Sequence, residues 1–385
     1  MSEAPSSSAT DALARISAAG VSVWLDDLSR AAIESGRLKE LIDTKHVVGV
    51  TTNPTIFAKA VADGTAYDAQ LAELGASKTS VEDAVVALTT EDVRNACDVF
   101  MDVYRATDGK DGRVSIEVDP RLDRDTEGTI AAAHMLWTTV DRPNLFVKIP
   151  ATLEGLPAVT AAIAAGISIN VTLIFSLDRF RAVAQAYVDG LEKAQAAGKD
   201  LSTIRSVSSV FLSRIDSKVD AALDEIGTEE AIDLKGKAAI ANARLAYQVY
   251  EEIFSTPRFA QLADAGAHRQ RPLWASTGTK DPAYPDTMYV DELVAADVVN
   301  TMPTKTLLAV ADHSPATGED TVHGTYEASR EVLDAVERLG VPSENILEDL
   351  ETSGVEAFEK SWGEMRQIVA DGMSAAPAST TETSR

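Results

Sequence analysis

Eight short runs rich in β-branched and other apolar residues, at positions 21–25, 47–51, 114–118, 145–149, 167–173, 207–211, 272–276 and 297–301, alternate with amphipathic stretches along the chain. Runs this short and this apolar suit strands covered on both faces. The intervening stretches place apolar residues every three or four positions, as in Val93, Cys97, Phe100, Met101 and Tyr104, in Phe180, Val183, Tyr187 and Leu191, and in Ile215, Val219 and Leu223. That is the period of a helix with one buried face. Gly198 and Gly340 stand where helix C-caps belong. Eight strands in alternation with helices predict an α/β fold of the (β/α)8 TIM-barrel type with additional helices, a doubly wound open sheet being the alternative. An open nucleotide-binding sheet would carry a Gly-rich phosphate loop after its first strand, whereas here the first run leads into Asp26, Asp27, Leu28 and Ser29.

We read one barrel over residues 12–372, with a helical insertion around 54–113 that is too long for a single crossover. The flanking tails, 1–11 and 373–385, consist largely of Ser, Ala, Thr and Pro and cannot build a core, so disordered termini are expected. Cys97 is the sole cysteine, which excludes an intramolecular disulfide and suits a reducing compartment. With neither a secretory leader nor a run of about 18 apolar residues, the expected location is cytoplasmic.

A formal net charge of −25 argues against binding to nucleic acid or an anionic membrane. It also repels phosphorylated metabolites, so a substrate of that kind needs cations gathered locally in its pocket. The five histidines, His46, His134, His268, His313 and His323, show no metal-ligand spacing, and no metal site is expected. The chain contains no P-loop and no G-x-S-x-G nucleophile elbow.

Polar residues recur near the ends of the strand runs: Asp26 and Asp27, Asn53, Glu117 and Asp119, Lys148, Asn170 and Thr172, Ser208 and Ser209, Ser276, and Asn300. In a barrel they converge on the rim where active sites of this fold lie. Lys148 sits within Leu-Phe-Val-Lys-Ile-Pro. A barrel strand gives such a lysine little route to solvent, and burial disfavours the ammonium, leaving an amine able to attack a carbonyl. The competing reading is a structural ion pair. Imine chemistry also needs a proton shuttle, for which Glu117 and one of Asp26 and Asp27 are suited, although either aspartate could instead cap the next helix. Asn53, Asn170, Thr172, Ser209 and Ser276 offer amides and hydroxyls to a polyol, and Arg214 with Lys280 offers charge to a phosphate. From the residues alone the reading reaches an imine-forming aldolase or transferase acting on an anionic polyol. A catalytically silent barrel that binds metabolites is its rival.

Four segments, Gly-Val-Thr-Thr-Asn-Pro-Thr-Ile-Phe at 49–57, Ser-Ile-Glu-Val-Asp at 115–119, Leu-Phe-Val-Lys-Ile-Pro-Ala-Thr at 145–152 and Ile-Asn-Val-Thr-Leu-Ile-Phe-Ser at 169–176, closely resemble the transaldolase family. The resemblance spans most of residues 20–370. It implies a barrel in which Lys148 forms an imine with a ketose phosphate, Glu117 assists through a water, and Asp26, with Asp27 next in line, handles the C4 hydroxyl proton. It implies that Asn53, Asn170, Thr172 and Ser209 hold the dihydroxyacetone part and that Arg214 anchors the phosphate. The implied reaction belongs to the pentose phosphate pathway: a dihydroxyacetone unit passes from sedoheptulose 7-phosphate to glyceraldehyde 3-phosphate, giving erythrose 4-phosphate and fructose 6-phosphate. An aldolase releasing free dihydroxyacetone is the second reading. The expected partners are sugar phosphates, with self-association left open, and no cofactor is expected because the lysine supplies the electron sink. In one departure, Trp-Ala-Ser-Thr-Gly-Thr-Lys at 274–280 retains Ser276 but lacks the family's second arginine, for which Lys280 is the expected substitute.

Overall fold

The computed structural model describes residues 11–375. The strands are β1 (Ser22–Leu25), β2 (Gly49–Val50), β3 (Arg113–Glu117), β4 (Leu145–Pro150), β5 (Ile169–Ile174), β6 (Ser206–Phe211), β7 (Arg271–Ala275) and β8 (Val299–Met302). They pair in parallel and in chain order, and the ring closes where β1 meets β8, Ser22 facing Val299 and Leu25 facing Met302. That closure excludes the open sheet. Strand limits differ from the apolar runs by one or two residues. β2 keeps only Gly49 and Val50 as regular strand, although the amides of Val48 and Thr51 still donate to Val23 O and Leu25 O at 2.8 Å each.

Helices cover the outside of the ring, so both strand faces lie in the core and the apolar runs are continuous. Those that bear on the site are α1 (Pro54–Ala62), α2 (Asp68–Ala76), α3 (Val81–Val99), α4 (Ser213–Ile226), α5 (Ala238–Phe254) and α6 (Ser343–Ala375). The insertion after β2 thus folds as helices, α1 to α3 among them. Gly198 (φ 72°) and Gly340 (φ 91°) follow helix ends in the left-handed region, as C-cap glycines do. Most of both predicted tails lies outside the described residues; Asp11 caps the helix Ala12–Ala18 through Ala14 N at 2.8 Å, and α6 continues to Ala375.

At 33 residues, α6 is roughly 50 Å long. It packs across α1, α2 and α3 and reaches back over the barrel mouth. The crossing with α2 is very close: a Cβ at Gly75 would stand 2.3 Å from the carbonyl oxygen of Met373, so only glycine fits there. No helix among the described residues is long and apolar enough to cross a membrane.

Inside the ring the strand starts carry a buried polar floor. Arg271 Nη1 lies 3.1 Å from Asp111 Oδ1, and Arg271 Nη2 donates to the Ser22 hydroxyl. Ser22 Oγ and Trp24 Nε1 both donate to the Asp111 carboxylate, at 2.7 and 3.2 Å. Phe146 lies beside this network, with its ring 6.0 Å from that of Trp24 and 4.9 Å from the Arg113 guanidinium.

Candidate active site

Alternation along β4 turns Phe146 and Lys148 to the same side, so Lys148 enters the barrel interior one layer above the floor. Its side chain is almost wholly buried. Nζ donates to the Thr52 carbonyl at 2.8 Å and to Glu117 Oε2 at 3.1 Å. The strand register accounts for this arrangement, because Glu117 on β3 and Asn170 on β5 are the direct cross-strand neighbours of Lys148. Asn170 is held in turn, donating from Nδ2 to Ser115 Oγ at 3.1 Å and accepting from Ser209 Oγ at 2.7 Å.

Above the amine a narrow cavity opens at the carboxyl ends of the strands. Lys148, Asp26, Asn53, Thr172, Ser209, Arg214 and Ser276 all line it. Glu117 and Asn170 stand beside Lys148 rather than on the wall. The structure separates the two aspartates. Asp26 is half-buried, faces the cavity and accepts from Thr51 Oγ1 at 2.8 Å, while Asp27 is exposed and accepts from Thr304 Oγ1 at 2.8 Å. Neither caps the next helix; Ser29 does so, accepting from Ala32 N. The loop after β1 is anchored by a buried cluster in which Arg30 Nε and Tyr67 Oη each donate to Asp92 at 2.7 Å.

Burial pushes the carboxyls of both Asp26 and Glu117 above the ordinary carboxylate range, against the opposing pull of Lys148. Two carboxyls inclined to hold a proton therefore flank one amine, an arrangement suited to acid–base exchange. Arg214 has no carboxylate partner among the described residues; its guanidinium lies 5.3 Å from the Phe211 ring and 5.8 Å from the Phe358 ring. Thr172 Oγ1 is buried with no hydrogen-bond partner among the described residues. An unpaired cation and an unsatisfied hydroxyl on one wall are groups that an anionic polyol would satisfy.

The backbone is strained at the same place. β5 shifts register between Val171 and Ile174, with Leu173 at φ 61°, and Ser276 after β7 sits at φ 56°. Positive φ at non-glycine residues is costly and clusters at functional sites. Ser276 is held against α4 by the Ser213 hydroxyl at 2.9 Å, and the neighbouring Thr277 donates to Thr301 O at 2.8 Å.

Lys280 is exposed and is not part of the cavity wall, so the structure does not bring it to the other cation. Asp119 pairs with Arg121, and Ser208 lies against the Arg271 carbonyl, both away from the amine. Sequence reasoning missed the Thr52 carbonyl, because main-chain acceptors have no residue signature. It also missed Phe358 of α6, whose ring lies 5.9 Å from Lys148 Nζ. Phe358 is 210 positions from the lysine, and the periodicity of its helix marks that helix only as amphipathic. Its approach requires Gly354, where a Cβ would lie 3.1 Å from Leu173 Cδ2 and 3.4 Å from Arg214 Nη1.

The family described as Transaldolase/Fructose-6-phosphate aldolase matches residues 23–369. A Transaldolase of Thermobifida fusca (strain YX) is 61% identical over 363 residues, 94% of this chain and 98% of the relative. A Transaldolase of Mycolicibacterium smegmatis is 59% identical over 353 residues, covering 92% and 95% of the two chains. A Transaldolase of Kocuria rhizophila is 59% identical over 362 residues, covering 94% and 98%.

Proposed function

The chain belongs to the transaldolase/fructose-6-phosphate aldolase family and is an enzyme of the transaldolase type; from that premise we propose that Lys148 is its imine-forming nucleophile, Glu117 and Asp26 its proton-transfer groups and Arg214 its phosphate anchor. The observation that carries this reading is a buried amine held between a carboxyl and a carbonyl, beneath a cavity with an unpaired arginine at its side.

In this mechanism the Lys148 amine adds to the C2 ketone of sedoheptulose 7-phosphate or fructose 6-phosphate. Glu117, through a water, donates the proton with which the carbinolamine hydroxyl leaves as water, giving an iminium ion. Asp26 then takes the C4 hydroxyl proton as the C3–C4 bond breaks. The bonding electrons pass into the iminium, the aldose phosphate leaves, and an enamine of dihydroxyacetone stays on the lysine. Reversal of these steps onto glyceraldehyde 3-phosphate or erythrose 4-phosphate completes the transfer. Asn53, Asn170, Thr172, Ser209 and Ser276 bind the hydroxyls of the three-carbon unit and the water. Asn53 already accepts from Ile56 N at 3.0 Å as the cap of α1, so it joins the cavity wall to a rigid helix start. The aromatic rings of Phe211 and Phe358 restrict water around the reacting carbons. Lys280 meets the substrate only as an exposed loop charge. With sugar phosphates as substrates, we place the reaction in the cytoplasm.

Borohydride reduction in the presence of fructose 6-phosphate tests the nucleophile. The expected product is a stable three-carbon adduct on the peptide that contains Lys148. An adduct on another lysine, or none, overturns the assignment.

A further inference from the structure

A second cavity lies at the opposite end of the barrel, below the strand starts. Its wall includes Lys110, Arg205, Arg269 and Arg271, with Asp108 and Asp297 as the lining carboxylates. Four cationic side chains around one cavity are unexpected in a chain of net charge −25. Two of them are accounted for by the fold. Arg271 is bound to Asp111 and Ser22, and Lys110 pairs with Asp297 at 2.5 Å. The other two form no ion pair among the described residues, although Arg205 lies in the field of Asp108 and Arg269 in that of Asp297, with Arg269 also hydrogen-bonded to Tyr250. Arg205 donates from Nη2 to the Asp108 carbonyl at 2.7 Å, and its Nε is buried without a partner. Arg269 is exposed, lies over the Tyr250 ring 5.8 Å from its centroid, and forms no ion pair among the described residues.

A network that serves stability alone leaves few polar groups unsatisfied, and the Arg271–Asp111–Ser22–Trp24 cluster is of that kind. Arg205, with its buried Nε unpartnered among the described residues, departs from it, and Arg269 on the same wall adds an exposed charge with no ion pair there. The planar guanidinium fork binds oxyanions through paired N–H donors, better than the point charge of a lysine does. We propose that this floor cavity is a binding site for a compact multivalent oxyanion of the phosphate or pyrophosphate class, held chiefly by Arg205 and Arg269 and separate from the catalytic cavity. Phe146 lines the cavity and precedes Lys148 by two residues on β4, roughly 7 Å along the strand.

The test must keep the two anion sites apart. Pyrophosphate, inorganic phosphate and citrate are titrated calorimetrically into the full chain at constant ionic strength, and into Arg214→Gln, which removes the catalytic-site cation. The expected result is a pyrophosphate isotherm that survives in Arg214→Gln and weakens at least tenfold on adding Arg205→Gln and Arg269→Gln. Ala263→Glu is the second variant. This exposed cavity-wall position on the surface helix Pro257–Asp264 can take a carboxylate without disturbing the buried network; in the Arg214→Gln background Glu is expected to abolish pyrophosphate binding, and Ala263→Glu alone to leave transfer without added anion unchanged. Citrate binding as tightly as pyrophosphate overturns the phosphate class. Loss of all binding in Arg214→Gln, or wild-type binding in the Arg205 and Ala263 variants, overturns the site.

Discussion

The two ends of the barrel bury charge in different ways. At the floor, the charged and polar groups around Asp111 are paired with one another, so Arg271, Ser22 and Trp24 all find partners on the same carboxylate or beside it. At the rim, one layer up the same strands, Arg214 has no carboxylate partner and Thr172 Oγ1 no hydrogen-bond partner among the described residues, and Leu173 and Ser276 hold strained backbone. The Asp111 cluster resembles a completed structural network and the rim one that awaits a ligand. A buried ion pair is therefore weak evidence of function by itself. Lys148 and Glu117 form such a pair, and it is the open donors and acceptors around them that distinguish the site.

The sharpest break in this comparison comes from exchanging one buried cation at the rim. Lys148→Met keeps the side-chain volume and lets Glu117 take up a proton, so the transfer rate should fall by about 10⁵-fold while the unfolding free energy changes by less than about 1 kcal/mol. Steady-state assay and urea titration of the same preparation measure both. At the floor the signs reverse. Asp111→Ala leaves Arg271 buried without its carboxylate and should lower stability by about 3–5 kcal/mol, with kcat at low temperature within threefold of wild type. If kcat falls as far as stability, the two ends are not separable.

A smaller effect concerns the fastening of the segment after β7. Asp216 on α4 accepts from Tyr289 Oη at 2.6 Å and from Ala239 N, at the start of α5, at 2.8 Å. Burial pushes its carboxyl up to about 6 despite those two hydrogen bonds. Between the ordinary aspartate range and that value, the folded chain holds a proton that the unfolded chain has released. This contribution to stability is therefore full below about pH 4 and is lost as pH rises through 6. Asp216→Asn removes the dependence, so the stability difference between wild type and variant should shift by about 1–3 kcal/mol between pH 4 and 7. A constant difference across that range rules out the titration. Smallest of all, Gly354→Ala crowds Arg214 and Leu173 and should raise KM for a ketose phosphate about fivefold, on the order of 1 kcal/mol, with kcat nearly unchanged. An unchanged KM means α6 yields at that point.

Much of this was legible beforehand because the barrel converts sequence position into place. Apolar runs of strand length name the strands, the polar residue at each carboxyl end names the rim, and Lys148, Asn53, Thr172, Ser209, Arg214 and Ser276 meet there as their positions on the strands require. What periodicity could not resolve was the choice between adjacent residues near a strand end. Asp26 and Asp27 differ by one position, and only the turn of the chain after Leu25 sends one inward and the other to Thr304. Lys280 shows the opposite failure: charge and nearness to Ser276 in the chain made it a candidate, but the segment after β7 carries it outward.

The sequence by itself determined the fold class and the burial of a lysine inside the barrel, because both rest on local patterns: strand-length apolar runs, and an amine embedded in one of them. Only the tertiary structure decided which carbonyl receives that amine, that Phe358 and Gly354 of a distant helix close over it, and that the barrel floor has its own cluster of arginines. Contacts of that kind depend on the packing of elements far apart in the chain. No local pattern encodes the distance at which two such elements finally meet.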